Sequence, residues 1–309
     1  MDSVTRSLLN GLADEHAAMV ALLERWASIN SGSYHVAGVR RMRVALAEAF
    51  AVLGGEARVV PLSDITEVTA HGETVHVPVA EALVITKRPE APTQVLLVGH
   101  MDTVYGQDHA FQTPVYRSEN ILNGPGVADL KGGLVVMLYA LQTLEKSPFA
   151  QQIGWQVVLN PDEEIGSIAS DPLLQHAAQG KKLWLVYEQA LADVTLAGAR
   201  KGSGNFTLVV RGRAAHAGRN PEQGRNAVTL LARVTQEIAA LDGSLAGLTV
   251  NPARIEGGGA LNLVPDLAVL RFNARLAAAE DEPWLMEALH AIIARYQAQE
   301  GYTLTLHGQ

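Results

Sequence analysis

The sequence predicts an α/β fold with a mostly parallel sheet, followed by a smaller α+β domain. Three short apolar runs, at 95–99, 155–160 and 183–187, have the near-continuous hydrophobicity of strands that are buried on both faces. Between the first two runs, residues 132–146 form an apolar-periodic segment with the length of a crossover helix. Strands joined by crossover helices pair in parallel, so we expect an α/β sheet here.

The pattern changes at about Gly198, where strands and helices follow in the order βαββαβ. The predicted elements are strand 205–215, helix 226–242, strands 248–257 and 267–276, helix 282–299 and strand 302–308. This order is the ferredoxin-like split arrangement, which closes as a domain of its own. We therefore expect two domains, at 1–197 and 198–309.

The segments ahead of the sheet are predominantly helical. Residues 1–29 have the pattern of an amphipathic helix, and residues 38–55 form a second helical segment that ends at Gly54 and Gly55. Residues 57–62 and the alternating stretch 75–86 then resemble strands.

The composition excludes several classes of function. The chain has 309 residues, a formal net charge of −8 and no Lys/Arg cluster of the kind that follows phosphates, which argues against a nucleic-acid partner. It contains no cysteine, so His and carboxylates are its strong metal ligands. Acidic residues interrupt the N-terminal apolar stretches, so we expect a cytoplasmic protein. No apolar run approaches the roughly 18 residues of a membrane span.

Each of the three apolar runs ends in residues that can bind a cation. These residues are His100 and Asp102 after the first run, Asp162, Glu163 and Glu164 after the second, and Glu188 after the third. Because the carboxyl ends of parallel strands meet at one edge of a sheet, we expect the side chains to converge. We expect Asp162 to be structural.

A glycine-rich loop, NGPGVADLKGG, adds Asp129 just ahead of the crossover helix. One imidazole and several carboxylates at one edge would repel one another without a cation, so a divalent metal is the natural compensation. Each motif alone is common in ordinary loops, but their coincidence at one sheet edge favours a site. The signatures of a serine nucleophile, a P-loop and a dinucleotide site are absent from the sequence.

Four motifs together resemble a known family: VLLVGHMDTVYG, NGPGVADLKGG, NPDEEIGS and LVYEQA. They are similar in order and spacing to the zinc-dependent family of acetylornithine deacetylase, succinyl-diaminopimelate desuccinylase, aminoacylase and glutamate carboxypeptidase, and most similar to the last. The later stretches RGRAAHAGRNPEQGRNAV and GGGALNLVPDLAVLRFNARL resemble the lid and dimerisation domain of that family. The resemblance covers nearly the whole chain and implies hydrolysis of an N-acyl amino acid or a small peptide with a free carboxylate.

The resemblance also implies a role for each residue of the site. The metal ligands would be His100, Asp129, Glu164 and Glu188, with Asp129 bridging two ions of zinc or, alternatively, of cobalt or manganese. Asp102 would orient the imidazole, as residues behind a ligand commonly do. Glu163 would be the general base for a water whose pKa the metal lowers to about 7. A non-proline cis peptide bond after Asp129 is a further implication.

In the lid, the resemblance implies that His216 stabilises the developing oxyanion across a homodimer interface. Asn262 and Arg275 would hold the carboxylate of the substrate, a task that suits the bidentate guanidinium group.

Members of the family continue past the lid with a glycine-rich segment and a final His that completes the second zinc site. This sequence ends at LTLHGQ, and His307 is a poor substitute for that ligand. We therefore expect the C-terminal part of the catalytic domain to be missing, with apolar surface exposed on 95–99 and on the helix at 132–144. The alternative hypothesis is a catalytically impaired fragment that acts only as a dimerising or binding module.

Overall fold

The computed structural model describes residues 3–191, 193 and 195–308. They divide into two compact units, of which the first comprises Met1–Ile65 and Val77–Thr195 and the second Thr66–His76 and Leu196–Gln309. The sequence analysis assigned residues 66–76 to the first domain, but this segment packs with the second unit.

The chain has seven α-helices in its described part: α1 Ser3–Asn10, α2 His16–Ala27, α3 Val36–Phe50, α4 Gly132–Glu145, α5 Asp171–Ala178, α6 Ala227–Ala239 and α7 Glu282–Gln297. The strands of the first unit are β1 Glu56–Val60, β4 Ala82–Lys87, β5 Thr93–His100, β6 Val115–Ser118, β7 Ile121–Asn123, β8 Ile153–Asn160 and β9 Leu183–Val186. The remaining strands are β2 Ile65–Val68, β3 Thr74–Val77, β10 Gly202–Arg211, β11 Ala215–His216, β12 Thr249–Gly257, β13 Leu263–Val264, β14 Leu267–Leu276 and β15 Thr303–Gly308.

The first unit contains a five-stranded sheet in the order β1-β4-β8-β5-β9. The pairs β8/β5 and β5/β9 are parallel, as the sequence predicted for these three runs, whereas β1/β4 and β4/β8 are antiparallel. The sheet is therefore mixed, within the α/β class that the sequence predicted.

The two faces of this sheet are covered differently. Leu97, Val157 and Leu159 pack in the main core, which also includes buried residues of α2, α3 and α4. On the other face, Val84 and Val158 pack in a smaller cluster with residues of α5. This alternation is the period of two expected of strands between helical layers.

The third apolar run differs from the sequence prediction, because all four residues of β9 are exposed, with Trp184 59% and Val186 61% accessible. Among the described strands, β9 lies at the edge of the sheet and pairs with β5 on one side. Conversely, Leu96 and Leu97 of β5 and most of the apolar residues of α4 are buried. The expectation of exposed apolar surface is therefore wrong for 95–99 and for most of the crossover helix, where Val136 is exposed, and the larger exposure lies on β9.

Two predicted elements are interrupted by single residues. The N-terminal segment forms α1 and α2, with a 3-10 turn at Gly11–Ala13 between them, because glycine weakens a helix. The alternating stretch 75–86 is divided around Pro78, which lacks the N–H group that a strand interior needs. Only its second part, β4, joins the central sheet.

Among the described residues, Val127–Glu145 is the stretch that is long and apolar enough to cross a membrane by length and composition alone, with a mean hydropathy of 1.3. Its buried residues, including Leu130, Leu134 and Leu138, belong to the main core of the first unit. A buried core helix passes the same test, so this is weak evidence for a membrane span.

The second unit confirms the ferredoxin-like arrangement, with an antiparallel sheet in the order β12-β14-β10-β15. Helices α6 and α7 contribute to the core on one face of this sheet. On the other face, Val68 of the β2/β3 hairpin packs against Val209 and Val269. The guanidinium group of Arg271 donates a hydrogen bond to the Val68 carbonyl oxygen at 2.6 Å.

Candidate metal centre and active site

The site in the first unit is built around His100, which is the last residue of β5 and is 1% exposed. Its Nδ1 lies 3.0 Å from the backbone carbonyl oxygen of Asp102. Its Nε2 lies 3.0 Å from Asp129 Oδ1, 3.8 Å from Glu188 Oε1 and 3.9 Å from Glu163 Oε2. One nitrogen is therefore held by the backbone, and the other faces a group of carboxylates.

Asp102 lies behind His100 and is 1% exposed. Its carboxylate accepts hydrogen bonds from the backbone N–H groups of Glu163 and Glu164 at 3.2 and 3.1 Å. It also accepts a hydrogen bond from Ser33 Oγ at 2.7 Å. Because it binds the loop after β8, Asp102 fixes the position of both glutamates relative to His100.

Asp162, the first acid of the DEE motif, has the structural role that the sequence analysis expected. Its buried carboxylate accepts hydrogen bonds from the N–H groups of Ala169 and Ser170 and from the side chain of Asn160. A short 3-10 turn, Glu163–Ile165, follows it. This turn brings Glu163 and Glu164 together on the His100 side of the loop.

Asp129 comes from the glycine-rich loop before α4. The loop turns at Gly126, whose φ of 70° favours glycine, and the Asp129–Leu130 peptide bond is cis, which confirms the sequence prediction. Lys131 follows and is buried, and its Nζ donates a hydrogen bond to the Ile29 carbonyl oxygen at 2.8 Å.

Glu188 follows β9 and reaches the same group of carboxylates. The chain here lies close to the start of α4: a Cβ atom on Gly133 would lie 2.3 Å from the Tyr187 carbonyl oxygen. Glycine at 133 therefore permits the approach that positions Glu188.

The donors fit a metal ion. His100, Asp129 and Glu164 form one set, and His100, Glu163 and Glu188 a second, each with ligand atoms within 4.8 Å of one another. Two donors on one tetrahedral zinc ion, with bonds of about 2.0–2.1 Å, lie roughly 3.3 Å apart. The separations of 3.0 and 3.8 Å from His100 Nε2 to Asp129 and Glu188 bracket this value.

The electrostatics of the site indicate excess negative charge. Burial lowers the pKa of His100, but hydrogen bonds with Asp102 and Asp129 outweigh it and raise the pKa to about 11. Burial and the charge of Asp129 raise the pKa of Glu164 to about 7. A divalent cation would relieve this repulsion, as the sequence analysis argued.

The remaining candidate residues lie in the second unit and do not form one cluster. His216 is exposed on β11, and its Nδ1 accepts hydrogen bonds from the N–H groups of Gly218 and Arg219. Asn262 precedes β13, which pairs with β11. Arg275 is exposed near the other end of the main sheet, opposite Ser203. The strand rises by eight residue steps from Leu267, at the end of the sheet near Asn262, to Arg275, which is roughly 27 Å.

Two buried residues of the site region were not found from the sequence. Ser33 binds Asp102, and Lys131 binds the Ile29 carbonyl oxygen, so both connect residues 29–33 to the site. Ser33 lies in an ordinary polar stretch, NSGSYH, that has no pattern of its own. A lysine two residues after Asp129 would ordinarily be read as a surface residue.

Two family profiles match adjoining parts of the chain. The profile described as Peptidase family M28 matches residues 82–206, and the profile described as Peptidase dimerisation domain matches residues 198–300. Carboxypeptidase G2 of Pseudomonas sp. (strain RS-16) is 28% identical over 283 residues, which are 91% of this chain and 65% of that protein. Succinyl-diaminopimelate desuccinylase 2 of Shewanella loihica is 28% identical over 222 residues, which are 66% of this chain and 58% of that protein.

Solved structures share the fold. A dipeptidase from Saccharomyces cerevisiae superposes with a TM-score of 0.71 at 14% identity, covering 98% of this chain and 79% of that one. An M20 family metallo-carboxypeptidase from Sulfolobus solfataricus gives a TM-score of 0.68 at 15% identity, with coverages of 94% and 77%. The chain spans about two thirds or less of the curated relatives above. In its motifs, its two matched profiles and its fold, the chain is similar to the metallopeptidases and amide hydrolases named above.

Proposed function

We propose that this protein is a zinc-dependent hydrolase of the glutamate carboxypeptidase type. It cleaves the amide bond of an N-acyl amino acid or a small peptide with a free carboxylate. The observation that carries the proposal is the pair of donor sets that share His100 at the carboxyl ends of β5, β8 and β9. The relatives named as carboxypeptidase and desuccinylase support it, since both names denote cleavage of an amide bond.

In this proposal His100, Asp129, Glu164 and Glu188 hold the metal. Zinc supplies two effects when bound: it lowers the pKa of a water ligand to about 7 and polarises the scissile carbonyl. Asp102 fixes the loop that bears Glu163 and Glu164, and thereby holds these two carboxylates beside His100. It also lies 3.3 Å from His100 Nδ1 and thereby favours one orientation of the ring.

Glu163 is the proposed general base. Its side chain is 45% exposed, whereas His100 is 1% exposed, so it can meet a substrate that enters from solvent. It takes a proton from the attacking water and returns it to the leaving amine, the two steps that a carboxylate can perform in turn.

The second unit would contribute substrate contacts from two copies of the chain. His216 and Asn262 lie near one end of the sheet and Arg275 near the other, so one copy does not bring the three side chains to one point. We propose a homodimer in which Asn262 and Arg275 bind the substrate carboxylate and His216 acts across the dimer interface. The matched dimerisation domain supports this arrangement.

A metal titration with a parallel hydrolysis assay tests the function. The metal-free chain is titrated with zinc by calorimetry, and release of amino acid is measured from N-acetyl, N-succinyl and peptide substrates, with C-terminal glutamate among them. Hydrolysis that requires zinc, and that cobalt or manganese restores in part, is expected. Tight zinc binding without hydrolysis of any of these substrates would contradict the proposal and favour a binding module.

A further inference from the structure

The first unit has a cavity of about 310 Å³ that is separate from the candidate metal centre. It lies on the face of the central sheet that α5 covers. Its polar lining comes from β1, β8, α5 and the turn after α5, namely Arg58, Gln156, His176, Gln179 and Lys181. No Asp or Glu is among the lining residues.

The register of the strands explains why these side chains converge. Arg58 on β1 is opposite Val84 on β4, and Val84 is opposite Val158 on β8, so the three side chains share one face. Gln156 precedes Val158 by two residues and therefore lies on that face too. Helix α5 has only eight residues and leaves this part of the face open.

The floor of the cavity is apolar. Val84 and Ala177 are buried, and Leu173 is half-buried beside them. The cavity therefore combines an apolar base with a polar rim that includes two basic side chains, Arg58 and Lys181, a combination typical of sites for small molecules.

The cations of the rim form no ion pair in the part of the chain that the structure describes, although Glu56 lies two residues from Arg58 on the same face of β1. Burial lowers the pKa of Lys181. This local excess of positive charge contrasts with the net charge of −8 of the chain.

The cavity is distinct from the metal centre along the strands. Gln156 is four residues upstream of Asn160, which is opposite His100 in the β5/β8 register. Four residues of strand span roughly 13 Å. The same register places the cavity towards the amino end of β8, whereas the metal centre is at the carboxyl end.

We infer that this cavity binds a small organic anion that has an apolar body and a carboxylate head. The body would lie on Val84, Leu173 and Ala177, and the head would bind the guanidinium group of Arg58 and the ammonium group of Lys181. An Arg fork matches the two oxygens of a carboxylate. Gln156 and Gln179 would add neutral hydrogen bonds at the rim.

Ligand-observed NMR with three probes tests the inference: benzoate, its neutral isostere benzamide, and inorganic phosphate. Benzoate has both required features, benzamide lacks the charge, and phosphate lacks the apolar body. We expect benzoate to bind saturably and at least about tenfold more tightly than either of the others. Benzamide loses the charge-assisted hydrogen bonds, which are about twice as strong as neutral ones. Phosphate loses the contact of an apolar body with the floor of the cavity. Equal binding of benzamide or of phosphate would overturn the inference.

Variants locate the binding. Arg58→Gln and Lys181→Gln are each expected to weaken benzoate binding several-fold, and the double variant at least about tenfold. Lys182→Gln is the matched control, since Lys182 is the adjacent lysine and does not line the cavity. Circular dichroism and thermal melts establish that the variants are folded. If folded Arg58→Gln and Lys181→Gln proteins bind benzoate as tightly as the Lys182→Gln protein, the assigned cavity is wrong.

Discussion

Single residues decide the chemistry of the candidate metal centre. Glu163 and Asp129 are assigned different roles, general base and metal ligand, although they lie close together. Both carboxylates lie within 4 Å of His100 Nε2. We predict that Glu163→Gln lowers kcat at least ~100-fold while zinc stays bound, because general acid–base groups contribute about 10²–10⁴-fold. Asp129→Asn should lose zinc affinity as well. Metal analysis and calorimetry measure zinc binding, and an amide hydrolysis assay measures kcat.

Glu119→Gln, an exposed glutamate outside the site, is the control for these two variants. Glu163 belongs to one of the two candidate donor sets, so a ligand role is the competing hypothesis. Equal loss of zinc from Glu163→Gln and Asp129→Asn would support that role and refute the division of labour.

Gly133 is a second residue on which the site depends, because a side chain at this position would clash with the backbone beside Glu188. We predict that Gly133→Ala destabilises the first unit by about 1–3 kcal/mol, the usual cost of overpacking. Its new Cβ would lie 2.3 Å from the Tyr187 carbonyl oxygen, so the backbone beside Glu188 must move and zinc affinity should fall. Urea unfolding and zinc calorimetry measure the two effects.

Gly11→Ala is the matched control, since no atom lies within 4 Å of the Cβ that it adds. It should leave both stability and zinc affinity nearly unchanged. Wild-type zinc affinity in Gly133→Ala would show that the position of Glu188 does not depend on this contact.

At the scale of elements, Glu145 connects α4 to two strands of the central sheet. Its carboxylate accepts hydrogen bonds from Lys87 and Arg88 at the end of β4 and from the indole N–H of Trp155 on β8. Burial raises the pKa of Glu145, but the bonds to Arg88, Lys87 and Trp155 outweigh it and lower the pKa to about 2. This cluster is therefore a stabilising feature that requires the charged form.

The pH dependence follows from the direction of this shift. A carboxyl group whose pKa is lower in the folded state stabilises fully above its unfolded value of 4.5, and the contribution is lost as pH falls towards about 2. We predict that Glu145→Gln lowers the free energy of unfolding by about 2 kcal/mol at pH 7, because it leaves the half-buried cations of Lys87 and Arg88 without a partner. The difference from wild type should shrink between pH 4.5 and pH 2.

Urea unfolding at a series of pH values measures this difference. Glu81→Gln is the control, since its partner Arg40 is 51% exposed and such pairs contribute about 1 kcal/mol or less. A pH-independent difference between wild type and Glu145→Gln would contradict the assignment.

At the scale of the whole molecule, β9 is an exposed apolar strand at the edge of the central sheet. Its sequence LWLV is apolar, accessible along its whole length and paired on one side only. Exposed apolar edge strands pair with other chains. We predict concentration-dependent self-association through β9, which Trp184→Lys should reduce at least several-fold in sedimentation equilibrium.

Val136→Lys is the matched control, because Val136 is 52% exposed but lies on α4. It adds the same charge at a site without free strand hydrogen bonds. Equal reduction by both substitutions would mean that net charge, rather than the β9 edge, governs the association.

The sequence by itself determined the elements, the fold class and the convergence of the acidic motifs. Local periodicity sets where strands and helices form, and the carboxyl ends of parallel strands necessarily meet at one edge. For that reason His100, Glu163 and Glu188 could be assigned to one site from their positions after three apolar runs. The structure places the carboxylates of Glu163 and Glu188 within about 4 Å of His100 Nε2.

Only the tertiary structure decided which surfaces are covered and which distant residues support the site. The run at 183–187 has the composition of a buried strand, yet its edge position leaves it exposed. The hairpin at 66–76 packs with the second unit, and Ser33 and Lys131 become buried partners of the site region. These outcomes depend on contacts between residues far apart in sequence, and local composition and periodicity contain no record of such contacts.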